Sequence, residues 1–271
     1  MYEQREIYKH APLALVAAEV KYPYAPRLRR DDCLDDIQIA LEKILPIRQQ
    51  EQRLTVQLTV GHTPAPAQKT VEVYRFLDRN RRNSAVISPE AFSVETTDYT
   101  EFSQFSHLVK SVSKALESVG MIPAIERVGL RYIDEIRVPE PIHDASDWGA
   151  WVNPGLIPSA TSRIGSPKFI QGSTLYGLEK NSHLRLSYAS LEGIGVVSNE
   201  PLRRKNEPGS GPFFVVDIDS FWEASSPEES GEFSTEYVME TLERLHKPTG
   251  LAFQSAITDR LREIFRGNDA E

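Results

Sequence analysis

The sequence predicts an α+β protein in which two similar units, each ordered strand, helix, strands, helix, form a largely antiparallel sheet with helices on one face. Three observations carry this. Residues 54–96 hold several strand-like runs in succession with no helix between them, whereas a parallel sheet needs a crossover between most strands. Residues 100–119 set Phe102, Phe105, Leu108, Val109, Val112, Leu116 and Val119 at helical spacing, one apolar stripe that must pack on a sheet or another helix. After residue 122 the same order of elements begins again, so the chain of 271 residues divides into a unit of residues 1–122 and a unit of residues 123–271 with two terminal helices, one continuous domain being the alternative.

The elements follow in order. Residues 12–22 alternate with both faces largely apolar, Leu13, Leu15 and Ala17 against Ala14, Val16, Ala18 and Val20, which predicts a central strand. Asp31 or Asp32 can cap a helix carrying Leu34, Ile37, Leu41, Ile44 and Leu45, stopped by Pro46. Leu54, Val56, Leu58 and Val60 alternate with polar residues as a half-buried strand, a loop covers residues 61–66, and strands follow around Val71 to Phe76, at 85–88 and at 92–96. Asp98 or Thr100 can start the striped helix and Gly120 can end it. In the second unit, residues 125–138 form a strand, and residues 144–157, with Trp148, Trp151, Val152 and Leu156, take the place of the first helix. Residues 169–178, 183–189 and 213–219 are strands, and helices at 234–246 and 250–265 join at Lys247-Pro248-Thr249.

The strand at Arg127-Val-Gly-Leu-Arg-Tyr-Ile-Asp-Glu-Ile136 puts Arg127, Gly129 and Arg131 on one face and Val128, Leu130, Tyr132 and Ile136 on the other, with Asp134 interrupting the apolar row. The arginine backbones stand about 13 Å apart at a rise of ~3.3 Å per residue, so only their side chains, leaning inward over Gly129, can share an anion. Asp217 and Asp219 likewise share one strand face. Paired with each other across strands, these four residues form a structural ion-pair ladder; read as a site, the arginines clamp an anion and the aspartates hold a divalent ion or act as an acid/base pair. His246 falls near a helix end, where its cation can meet the terminal carbonyls. The other histidines, His10, His62, His107, His143 and His183, are dispersed without metal-ligand spacing, and no Gly-rich phosphate loop or nucleophile elbow occurs. No metal and no cofactor is expected.

The net charge of −8 argues against whole-surface attraction to nucleic acid. Three basic knots are the local exceptions: Arg27 to Arg30, Arg79 with Arg81 and Arg82, and Arg203 with Arg204 and Lys205; gathered onto one face they would make a phosphate surface. The lone Cys33 fits a reducing compartment, and the first residues lack a signal pattern, so a cytoplasmic location is expected.

The stretches Asp98-Tyr-Thr-Glu-Phe-Ser-Gln-Phe105, Arg127-Val-Gly-Leu-Arg-Tyr-Ile, Asp217-Ile-Asp219 and Leu245-His246 through Phe253 resemble a sporadically distributed bacterial family of uncharacterised function and of roughly this length. The most specific element is the Arg-x-Gly-Leu-Arg-Tyr-Ile run. Typical members carry Asn where Asp134 stands here. The resemblance implies an accessory role, in genome conflict or a specialised gene cluster, and supplies no catalytic residues.

The leading expectation is therefore a cytoplasmic binding or assembly protein, not an enzyme, acting on a protein partner or as a homo-oligomer, with Leu251, Phe253, Ile257, Leu261 and Phe265 of the terminal helices as the contact face. The acidic loop 223–231 would let those helices reposition. The alternative is an enzyme or sensor for a phosphate-containing ligand, built on Arg127, Arg131, Asp217 and Asp219, with His246 as a further ligand-binding candidate. The third is nucleic-acid binding through Arg79, Arg81, Arg82, Arg203 and Arg204. No membrane contact is expected.

Overall fold

The computed structural model describes residues 6–57, 67–119, 122–157, 165–198 and 200–267. Among them, the strands are β1 (Leu13–Lys21), β2 (Ile47–Gln57), β3 (Ala67–Leu77), β4 (Asn83–Ile87), β5 (Ala91–Thr96), β6 (Arg127–Ile136), β7 (Gln171–Gly177), β8 (Ser182–Gly193) and β9 (Gly211–Glu223). They form a 9-stranded sheet in the order β2-β3-β4-β5-β1-β6-β9-β8-β7, antiparallel at every pairing. The helices are α1 (Asp31–Leu41), α2 (Phe102–Val119), α3 (Thr235–Ala256) and α4 (Asp259–Arg266). The expected α+β fold with an antiparallel sheet is what the chain forms. Among the described residues no helix is long and apolar enough to cross a membrane.

Strands β1 and β6 pair at the middle of the sheet, where Val20 faces Val128, Ala18 faces Leu130 and Val16 faces Tyr132. This register places the apolar rows of both strands on the same side, under the helices. Two apolar cores lie on that side. The first joins β1, β4, β5 and the first half of β6 to α1, α2 and the first half of α3, through Val16, Phe92, Val112, Leu116, Leu130 and Leu242 among others. The second joins β8, β9 and the end of β6 to residues 148–152 and α4, through Trp148, Val152, Phe214, Val216, Ile257 and Leu261.

Several local expectations are corrected. Residues 144–157 form two 3-10 turns, Ala145–Ala150 and Pro154–Leu156, in place of a helix. Asp144 and Asp147 cap the first reciprocally with the backbone, and the Asn153 side chain accepts from Gly155 N to open the second, so Gly149, Asn153 and Pro154 keep both short while Trp148 and Trp151 stay buried. The terminal helices do not part at Pro248. Helix α3 runs through it, losing one backbone donor, because Thr249 and Ala256 remain buried beyond it. The break falls at Ile257, whose extended backbone bridges to Val152. Asp98 pairs with Arg82 and Lys205, and the helix α1 N-cap is Arg30, with Asp31 and Asp32 in its first turn. Strand β2 begins at Ile47, earlier than expected, while Leu58, Val60, the loop 61–66 and Gly120 lie outside the described residues.

Of the residues expected to meet a partner, Ile257, Leu261 and Phe265 are buried in the second core and Phe253 packs against it; Leu251 alone is largely exposed, at 59%. Their apolar surface is used inside the chain, because α4 folds back onto Trp151 and Val152. Truncation of Leu261 to Ala should lower the unfolding free energy by about 2–5 kcal/mol in chemical denaturation, and Leu251→Ala should stay within about 0.5 kcal/mol of wild type.

Candidate functional site

The helix-facing row of β6 belongs to the first core at Val128, Leu130 and Tyr132 and to the second at Ile136. Asp134 stands between them, at the seam. Opposite it the pairing of β1 is irregular: Leu13 faces Asp134 while Leu15 faces Ile133, so Ala14 is an extra residue bulged into β1. Bulges bend a strand and re-aim its side chains, and this one opens the sheet surface beside Asp134.

Over the seam lies a cavity of about 1010 Å³. Its floor is Tyr132, Asp134 and Ile218 of the sheet, and its roof is the stretch of α3 from His246 to Gln254. One wall is residues 6–14, the other residues 97–100 with residues 204–208 of the long β8–β9 loop. The first wall is strapped down: the Glu6 carboxylate pairs with Arg266 at 2.5 Å, the Tyr8 hydroxyl and Gln254 amide are hydrogen-bonded at 2.8 Å, and His10 N donates to Phe265 O at 2.9 Å. Arg266 holds the Glu6 carboxyl below its ordinary value.

Within the cavity the Tyr132 hydroxyl and His246 Nδ1 share a hydrogen bond of 2.9 Å. The His246 ring stacks on Phe102 at 4.0 Å and 7°, and Tyr99 meets Tyr132 edge-on at 5.7 Å. His246 therefore sits well inside α3, fixed from two sides, and not at the helix end that the sequence suggested. Asp134 is 5% exposed and lines the cavity, yet among the described residues it accepts no hydrogen bond and meets no cation. Burial, helped by the Asp217 charge on the other side of the sheet, pushes its carboxyl up to about 8.

Arg127, Arg131, Asp217 and Asp219 all lie on the opposite face of the sheet. Arg127 bonds Glu19 at 2.8 Å and Asp219 at 3.2 Å, with its guanidinium 4.7 Å from the Phe221 ring centre. It leans over Gly129, where an added Cβ would lie 2.7 Å from Arg127 Nη1. Arg131 takes Asp217 in a bidentate pair of 2.8 and 2.6 Å, which raises its own pKa further. Burial holds the Asp219 carboxyl above its ordinary value against the pull of Arg127, Arg131 and Arg185. A second cluster on this face joins Arg75, 3% exposed, to Glu51, Ser84 and Glu95 at 2.7 to 2.9 Å. The geometry is that of an ion-pair ladder, with the arginines already engaged. Among the described residues no group of three His, Cys, Asp or Glu could hold a metal ion.

Two of the three basic knots do meet. Arg203 N donates to Arg81 O at 2.6 Å, and Arg82 and Lys205 share Asp98 at 3.1 and 2.6 Å. Arg204 pairs with the buried Glu135 at 2.7 Å, whose other oxygen accepts from the Val196 and Val197 amides. This crossing needs Gly195, where a Cβ would fall 2.6 Å from Glu135. The turn at Pro26–Arg29, at the far end of β1, stays apart from both.

Sequence reasoning named His246 and missed its partners. The signal was present in one residue, since Asp134 breaks an otherwise apolar row. Its consequence needed α3, residues 6–14 and the β1 bulge to be placed. The unfolded chain ionises Asp134 near 3.8 and the folded chain only near 8, so this group lowers stability progressively as pH rises from about 4 to 8. Denaturation of wild type and Asp134→Asn across that range should show the variant gaining on wild type as pH rises; parallel profiles would contradict the assignment.

No protein-family model matches the chain and no curated protein matches it, so the reading of the site rests on its geometry.

Proposed function

We propose that this is a cytoplasmic binding protein, not an enzyme, whose recognition site is the cavity at the seam of the two cores. The observation that carries this reading is the Asp134 carboxyl, buried and with no hydrogen-bond partner among the described residues, facing an open volume of about 1010 Å³. Buried polar groups in folded proteins are normally paired, and a concave, mostly apolar site with a few fixed polar groups is the usual form of a ligand pocket. The membership in a sporadic bacterial family with an accessory role, and the reading of the halves as a pseudo-repeat, go with this proposal. In each half the first strand pairs with the last, β1 with β5 and β6 with β9, which supports the latter.

The reading is tested by native mass spectrometry of protein purified gently from its own host, with mass analysis of what it releases. Gly250 lines the cavity and has nothing within 4 Å of an added Cβ. A stoichiometric small molecule on wild type that is lost in a folded Gly250→Phe variant is the expected result. Equal retention by both, or an empty wild-type cavity under every purification, would count against it.

Assembly through protein contacts is the second reading, and strand β7 favours it. β7 ends the sheet and is exposed along nearly its whole length, with Leu175 at 55% and Tyr176 at 48% exposed and Phe169 and Leu178 exposed beside them. An unprotected apolar edge offers free backbone groups to another strand. Sedimentation equilibrium should then show an oligomer that Leu175→Lys reduces to monomer; a monomeric wild type at tens of micromolar would remove this support. The anion-clamp and nucleic-acid readings have less behind them, since the arginines of the first are paired within the chain, as are Arg82 and Arg204 of the second.

A further inference from the structure

Around the cavity, charges are matched or solvated except at the floor. Glu6 is paired with Arg266, Glu135 with Arg204, and Lys205 with Asp98. Lys9 and Lys247 stand exposed at the rim, where water screens them. Asp134 is the buried exception. Leu13 lies across from it on β1, and the lining brings further apolar and aromatic side chains, Ala14 of the bulge, Tyr99, Ile218 and Phe253. Two polar side chains of the lining are occupied, because Tyr132 is bonded to His246 and the Thr249 hydroxyl donates to His246 O at 2.7 Å. What complements a carboxyl in such surroundings is a group that brings both hydrogen-bond donors and a compensating positive charge.

We propose that the cavity binds an organic cation, an ammonium or guanidinium head carried on an apolar body, with the head on the Asp134 carboxylate and the body against Tyr99, Leu13, Ile218 and Phe253. This rests on the cavity being a ligand site. Cation binding exchanges one charge for another: the proton held by Asp134 leaves to solvent, and the ligand's positive head takes its place. Near neutral pH the complex therefore forms with release of close to one proton, and affinity for the cation rises with pH toward about 8. The other titratable groups facing the cavity are Tyr132 and Glu135 on β6; His246 and Lys247 on α3; Glu6, Tyr8, Lys9 and His10 on the entering segment; Tyr99 after β5; and Arg204 and Lys205 on the β8–β9 loop, with Asp217 behind the sheet. Asp134→Asn leaves all of them in place, so the difference between variant and wild type isolates Asp134.

Three probes of one shape decide it on the full chain: 2-phenylethylammonium, 2-phenylethanol and 3-phenylpropanoate, followed by saturation-transfer NMR and calorimetry. The ammonium should bind wild type about tenfold or more tighter than the alcohol, and Asp134→Asn should erase that preference. Calorimetry in buffers of different ionisation enthalpy should find about one proton released by wild type near neutral pH and none by the variant. Equal or tighter binding of the alcohol or the propanoate overturns the cation assignment and leaves the cavity reading standing. A preference for the ammonium that survives Asp134→Asn also overturns it, and failure of all three probes overturns both.

Discussion

The antiparallel register of β1 on β6 is the constraint on which the rest of the molecule depends. Strand side chains alternate, so a slip of one residue would send Val128, Leu130 and Tyr132 to the charged face and Arg127 and Arg131 under the helices. With the register as it is, the apolar rows of both halves form one surface that α1, α2 and α3 cover. The charged rows form the other. Glu19, Arg127 and Asp219 meet there because β1, β6 and β9 are adjacent in that order.

The ladder on that face sets register more than it adds stability. Half-exposed pairs such as Arg131 with Asp217 are worth about 0–1 kcal/mol, and buried ones such as Arg75 with Glu51 and Glu95 return roughly what their desolvation takes. Any other register would leave Arg75 or Asp219 buried without a partner, which is far more costly than the pairs are favourable.

The cavity is the counterpart of the two-core arrangement. Helix α3 serves both cores, with Val238, Leu242 and Leu245 in the first and Ala256 in the second. Between them it crosses the seam on His246, Lys247, Thr249 and Gly250, none of which fills the space below. The bulge in β1 and Asp134 in β6 remove apolar filling from the sheet side at the same level. A void lined in this way from both sides is a product of the layout and not a packing defect at one residue.

How much of this was legible can be argued residue by residue. The alternation of residues 127–136, the stripe from Phe102 to Val119 and the run of strands without helices are properties of neighbours in the chain, so they announced the antiparallel α+β fold. The shared face of Arg127, Gly129 and Arg131 followed from strand geometry alone. The path through Pro248 did not, because a local rule for proline was outweighed by burial further along α3. The 3-10 turns at Trp148 and Trp151 were misread as a helix because buried tryptophans at helical spacing look alike in either form. The pairing of Tyr132 with His246 joins residues more than a hundred positions apart, and no local pattern encodes it. By itself the sequence determined the periodicities, the faces and the single polar interruption at Asp134. Only the tertiary structure decided that this interruption lies at a seam under α3, where the loss of water from around the carboxyl gives it a chemistry that its neighbours in the chain do not.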